Sequence, residues 1–121
     1  MSFAFLWLRG FGLTLAVEEC VAVPLLGGIE TSRPSLLRRV FAVLIANLAT
    51  HPLVWFFFTR LGWSWTTVTW VAEAWAFGFE IVVYRVIFAH APWKRCATVS
   101  IAANAASYLL GLAAAHWGLL R

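Results

Sequence analysis

Residues 46–55 read ANLATHPLVW and lie in the middle of a long apolar run. The run suits a membrane-spanning helix, which needs about 20 residues to cross about 30 Å of hydrocarbon. Asn47, Thr50 and His51 are polar, and such side chains inside a bilayer are expected to face other protein groups rather than lipid. Pro52 either bends such a helix or frees a backbone carbonyl to act as a ligand. The stretch therefore predicts a membrane helix with one polar face.

The composition of the whole chain favours the same interpretation. Of its 121 residues, 63% are hydrophobic and 12% are charged, whereas soluble domains carry about 25% charged residues. A chain this short cannot enclose so much apolar side chain in a core of its own. The net charge of +4 is interpreted as anchoring of membrane helices rather than nucleic-acid binding, because Lys and Arg flank membrane spans. Cys20 and Cys96 have no metal-binding spacing and are interpreted as packing residues.

Basic residues divide the chain into four apolar runs. Within a single transmembrane domain over residues 1–121, the predicted spans are 10–29, 40–59, 61–84 and 96–120. The short connections force consecutive helices to run antiparallel. The predicted fold is therefore all-α, an up-down bundle of four transmembrane helices in a plasma membrane or bacterial-type inner membrane. Gly27 and Gly28 are predicted to end the first helix, and Ser35 is predicted to cap the second.

Charge bias predicts how the bundle is oriented. Six basic residues lie in or beside the connections between helices 1 and 2 and between helices 3 and 4: Arg33, Arg38, Arg39, Arg85, Lys94 and Arg95. Three lie toward the opposite face: Arg9, Arg60 and Arg121. Because basic loops stay in the cytoplasm, both of these connections are expected to be cytoplasmic and both termini outside.

The two halves of the chain, 1–60 and 61–121, are weakly similar. RRVFAVLIANLATHPL aligns with RCATVSIAANAASYLL, so that Asn47 matches Asn104 and His51 matches Tyr108. The helix before each segment carries a glutamate, in TLAVEECVAV and in AFGFEIVVYR. This pattern predicts two tandem helical hairpins related by an axis along the membrane normal. Chance similarity between Ala-rich apolar helices is the alternative.

The acidic residues give the strongest functional signal. Every Lys and Arg lies at a span boundary, whereas four of the five acidic residues lie inside spans: Glu18, Glu19, Glu73 and Glu80. An ionisable side chain at the bilayer centre costs at least about 2.5–3.5 kcal/mol on insertion scales, so it is a functional candidate. Since nothing basic shares their depth, these carboxyl groups are expected to be protonated, metal-bound, solvated in a cavity, or paired with another chain.

Helical spacing places the candidate residues on inward faces, around a polar centre. The candidates for binding a ligand or ion are Glu73, His51, Glu18, Glu80, Asn47, Asn104, Glu19, Tyr84, Ser107 and Thr50. Glu18 and Glu19 are about 100° apart on a helix, so at most one of them points fully inward. Counted from the predicted span ends, Glu80 and Tyr84 are expected to lie nearer the cytoplasmic side than the other candidates.

Three functions are compatible with this pattern. The first is an intramembrane Glu/His/Asn site that binds, and in one form translocates, a proton or metal cation; a divalent metal would be held by His51, Glu73 and Glu18. The second is an accessory or assembly subunit of a larger membrane complex. Self-association or a membrane-protein partner is expected in either case. The third, an intramembrane enzyme, is disfavoured because HExxH, GxSxG and paired catalytic Asp motifs are missing.

Overall fold

The computed structural model describes residues 2–119, so Leu120, the predicted end of the fourth span, and Arg121 lie outside the described residues. Within this range the chain forms four α-helices and no strand. The helices are α1 (Phe3–Leu26), α2 (Leu36–Phe56), α3 (Trp65–Ile87) and α4 (Trp93–His116), with a 3₁₀ turn at Phe58–Arg60. The predicted all-α fold with four helices is confirmed. Helix α2 continues through Pro52 without a break.

The helix ends follow from local capping chemistry. Ser35 caps α2 as predicted, because its Oγ accepts a hydrogen bond from the backbone N of Arg38 at 3.2 Å, and Gly27 is the C-cap of α1. Ser64 caps α3 in the same way. The chain turns before it at Gly62, whose φ of +69° favours glycine. For this reason α3 starts four residues later than the predicted span 61–84.

Contacts between helix ends define an up-down ring. The end of α1 meets the start of α4, where Arg95 Nη1 donates to the carbonyl of Gly28 at 2.8 Å. The start of α2 meets the end of α3, where Arg38 Nη2 donates to the carbonyl of Ile87. Each helix thus contacts two neighbours, in the cyclic order α1, α2, α3, α4. We call the end that carries the connections 27–35 and 88–92 the two-loop end, and the opposite end the single-loop end.

The core lies in the half of the bundle nearest the two-loop end. Its buried residues come from the second halves of α1 and α3, the first halves of α2 and α4, and the two connections at that end: Ala22, Leu26, Ile29, Ala42, Val43, Ala46, Tyr84, Phe88, Ala91, Cys96, Val99 and Ala103. Small residues at Ala42, Ala46 and Ala103 are fully buried, which lets the helices approach closely. The other half of the bundle is not filled in this way.

Two stretches are long and apolar enough to cross a membrane, judged by length and composition. They are Leu36–Arg60, with a mean hydropathy of 1.8, and Trp93–His116, with a mean hydropathy of 1.4. Both keep most of their surface outside the core of the bundle. The structure therefore gives weak support for a membrane location.

Overpacking the core should destabilise the bundle. Ala103→Leu adds three carbons at a fully buried position of α4, and we expect a loss of about 1–3 kcal/mol in the free energy of unfolding. Ala105→Leu makes the same change at an exposed position of the same helix and should have little effect. Thermal unfolding in detergent measures both. Equal melting temperatures for the two variants would contradict the placement of the core.

Candidate functional site

Glu18 lies in the centre of the bundle and is bonded to two other helices. Its side chain is 1% exposed. Asn47 Nδ2, from α2, donates to Glu18 Oε2 at 2.7 Å, and Ser107 Oγ, from α4, donates to Oε1 at 2.9 Å. Both carboxyl oxygens thus receive a neutral donor, as a buried polar group requires.

Glu80 occupies the corresponding place on α3 and is also 1% exposed. Asn104 Nδ2 donates to Glu80 Oε2 at 2.6 Å, and Ser100 Oγ donates to the same oxygen at 3.3 Å. The second oxygen, Oε1, receives no hydrogen bond from the part of the chain that the structure describes. One oxygen of Glu80 is therefore free to accept a further donor.

The two carboxyl groups lie at the same depth. Their partners Asn104 and Ser107 are three residues apart on α4, which is about 4.5 Å along the helix axis. Glu18 is the sixteenth residue of α1, and Glu80 is the sixteenth residue of α3. Both glutamates lie past the middle of their helices, toward the two-loop end, whereas Glu73 lies seven residues earlier in α3; that this end is cytoplasmic stays a prediction. We call these paired groups the carboxyl layer.

The two halves of the carboxyl layer repeat one motif. Asn47 is the twelfth residue of α2, and Asn104 is the twelfth residue of α4. Each asparagine also donates to the carbonyl four residues earlier in its own helix, at 3.1 Å to Val43 and 2.9 Å to Ser100. The amide is thus held in one orientation in both hairpins, with its second N–H directed at a glutamate.

A cavity of about 470 Å³ lies between the carboxyl layer and the single-loop end. All four helices contribute to its lining, and the lining includes most of the predicted site residues: Glu18, Asn47, Thr50, His51, Glu73, Glu80, Asn104 and Ser107. None of the described residues that line it is Lys or Arg. The cavity is therefore acidic at its floor, and His51 is the one basic side chain among the described residues that line it.

Tyr84 and Glu19 were predicted site residues, but neither lines the cavity. Tyr84 is fully buried on the two-loop side of the carboxyl layer, one turn beyond Glu80. Its hydroxyl group and Glu19 Oε2 are buried and have no hydrogen-bond partner among residues 2–119. Of the adjacent pair Glu18 and Glu19, only Glu18 faces the cavity.

His51 lies at the seam between α1 and α2. Its Nδ1 accepts a hydrogen bond from Trp7 Nε1 at 3.1 Å, and its ring packs against Phe11 and Trp55, with centroid separations of 5.3 and 6.0 Å. Within the described chain, no group of three or more His, Cys, Asp or Glu side chains is close enough to hold a metal ion. His51, Glu73 and Glu18 are therefore not gathered into a metal-ligand set.

Two residues that matter to the site were absent from the predicted set. Ser100 bonds Glu80, and its position four residues before Asn104 on the same face of α4 was a usable signal. Trp7 bonds His51 from a position 44 residues away in the sequence, and no local pattern connects the two. Comparison with protein families, curated proteins and solved structures finds no match to this chain, so its function has to be inferred from this geometry.

The carboxyl–amide bonds should be energetically coupled in both halves. We expect double-mutant cycles of Glu80→Gln with Asn104→Ala, and of Glu18→Gln with Asn47→Ala, to give coupling energies of about 0.5–2 kcal/mol. Unfolding in detergent with added denaturant measures them. The matched control is Glu73→Gln with Asn104→Ala, since Glu73 accepts no hydrogen bond from Asn104, and this pair should be additive. Additivity in all three cycles would refute the assigned bonds.

Proposed function

We propose that this protein is a four-helix integral membrane protein whose carboxyl layer binds a proton or a cation. The observation that carries the proposal is the pair of Glu18 and Glu80, which share one cavity and are bonded only by neutral amide and hydroxyl donors. Two carboxyl groups with no basic partner at their depth have a shortage of positive charge. A proton or a cation supplied from the cavity would remove it.

Four spans, rather than two, fit the surface of the bundle. Helices α1 and α3 have 24 and 23 residues, which matches the length needed to cross a bilayer. Their glutamates lower their mean hydropathy, yet Glu18 and Glu80 face inward. Large apolar side chains are exposed on the outside of every helix, including Leu8, Leu37, Val86 and Leu109. Lipid is the solvent that such an outer surface suits.

We also propose that the bundle arose from a duplicated helical hairpin. The same donor from the same helix position meets a glutamate in each half, and Arg38 and Arg95, which match in the aligned sequences, each bond the end of a helix in the opposite half. The two arginines thus occupy corresponding places at the two-loop end, as expected for an axis along the bundle.

The position of the cavity indicates from which side the carboxyl layer is accessible. It lies between the carboxyl layer and the single-loop end, whereas the core fills the half beyond the layer. A bound proton or cation would therefore exchange through the half of the bundle nearest the single-loop end in this conformation. Translocation would need a second conformation in which the half near the two-loop end opens.

Infrared difference spectroscopy of the protein in lipid nanodiscs tests the site. We expect the carboxyl C=O band to respond to pH or to added Na⁺, and we expect each of Glu18→Gln and Glu80→Gln to remove part of that response. The control is Glu30→Gln, because Glu30 lies in the connection between α1 and α2 and bonds the backbone N of His90 there. If the response survives in the double variant Glu18→Gln/Glu80→Gln, the proposed site is wrong.

Cysteine labelling tests the proposed topology. In a background of Cys20→Ala and Cys96→Ala, we expect Leu61→Cys to react with an impermeant maleimide added outside intact cells, and Ser32→Cys to react only after lysis. Both positions are exposed and lie at opposite ends of the bundle. The reverse labelling pattern would invert the orientation, and equal labelling would argue against spanning.

A further inference from the structure

The two hairpins differ at their seams, meaning the lines along which their two helices meet. Between α1 and α2, the seam is closed by an aromatic plug of Trp7, Phe11 and His51. Trp7 stacks on Phe11, with ring centroids 5.5 Å apart, and donates to His51 at 3.1 Å. Phe11 packs edge-on against the His51 ring. Of these three residues only His51 lines the cavity, so the Trp7 and Phe11 rings pack in the seam outside it.

The seam between α3 and α4 carries different residues at the equivalent positions. Counted from the first residue of each helix, Trp7 corresponds to Thr69, Phe11 to Glu73, and His51 to Tyr108. These three, with Trp65 and Asn104, line both the central cavity and a groove of about 630 Å³ on the outside of α3 and α4. The cavity therefore adjoins the outer surface where the other hairpin is plugged.

The chemistry of this opening suits a cation that carries apolar groups. Glu73 is half-buried at the opening and accepts no hydrogen bond from the described residues. Aromatic side chains surround the groove, and two of them are highly exposed: Trp65 at 79% and Trp70 at 74%. A carboxylate beside indole rings is a favourable environment for an ammonium group, because both attract positive charge.

The dimensions of the cavity favour an organic cation over a bare metal ion. A metal ion needs several ligands within about 2.0–2.6 Å, and the described chain offers no such cluster. A volume of about 470 Å³ lies within the range of about 300–1,000 Å³ that is typical of small-molecule sites. A partner helix docked along the outer groove would meet Glu73 but would leave Glu18 and Glu80 uncompensated inside.

We propose that the ligand is a small amine or quaternary ammonium with an apolar body, which enters sideways between α3 and α4 past Glu73 and places its charge at the carboxyl layer. This inference rests on the proposed function and specifies its cation. The apolar body of the ligand would occupy the space between the small lining residues Ala72, Ala76 and Gly111.

Equilibrium dialysis against lipid nanodiscs tests the ligand class. The probe is phenylpropyltrimethylammonium, and its control is the neutral isostere in which carbon replaces nitrogen. We expect saturable binding of the cation, with affinity for the isostere lower by about tenfold or more. Glu18→Gln/Glu80→Gln should weaken cation binding by a similar factor, whereas Glu19→Gln, outside the cavity, should not. If the double variant does not fold, Glu73→Gln alone should still weaken binding severalfold.

Grafting the aromatic plug tests the route. The variant Thr69→Trp/Tyr108→His reproduces on α3 and α4 the pair that Trp7 and His51 form on the other hairpin. We expect stopped-flow association of the probe to slow by about tenfold or more, with Ala16→Trp, on the exposed face of α1, as the control. An unchanged rate would overturn the lateral route.

The outcomes separate this inference from the proposed function. Equal binding of the isostere, or the absence of saturable cation binding, overturns the ligand class; the proposed function then stands if the carboxyl band still responds to pH or Na⁺. If the cation does not bind and the carboxyl band responds to neither pH nor Na⁺, both the ligand class and the proposed function are overturned. A stoichiometric membrane partner that Glu73→Gln releases, in a protein that does not bind the probe, would overturn the inference in favour of an accessory subunit.

Discussion

Placing a carboxyl group inside an apolar bundle requires hydrogen-bond donors, and this requirement organises the structure. A buried polar group without partners costs about 1–3 kcal/mol, and a charged one costs more. Glu18 meets the requirement by bonding α2 through Asn47 and α4 through Ser107, and Glu80 meets it through Asn104. These bonds fix the register of three of the four helix interfaces, because a shift of one residue would turn a donor away from its carboxyl group.

The carboxyl layer also separates two kinds of packing. On its two-loop side, alanines let the helices close around Leu26, Tyr84 and Phe88. On its other side, small residues such as Gly10, Ala76 and Gly111 line the open cavity together with Phe3, Trp55 and Trp65. Gly10 shows the constraint, because a Cβ there would lie 3.1 Å from the Trp55 ring. The carboxyl layer thus has open space on one side only, which is the arrangement that the proposed binding site requires.

The sequence was informative where a local cause acts. Four helices follow from apolar runs, and the Ser35 cap follows from helix-end chemistry. Helical periodicity placed ten candidate residues on inward faces, and eight of them line the cavity. The start of α3 was misjudged, because the turn at Gly62 and the cap at Ser64 move it to Trp65. The predicted metal ligands His51, Glu73 and Glu18 are not brought together, and the Trp7–His51 bond was not foreseen. Both outcomes depend on how the helices rotate against one another, which is set by tertiary packing and not by the sequence of a single helix.

The proposed duplication within one chain would explain why the carboxyl layer is alike in the two halves while their seams differ. In a symmetric dimer of one hairpin, both seams would be identical, since every contact is repeated by the symmetry. Both would then be plugged, or both would be open. Once the halves are fused, each position is free to change alone, so Phe11 can close one seam while its counterpart Glu73 lines the other. The asparagine–glutamate pairs stay alike because each half still has a carboxyl group to satisfy.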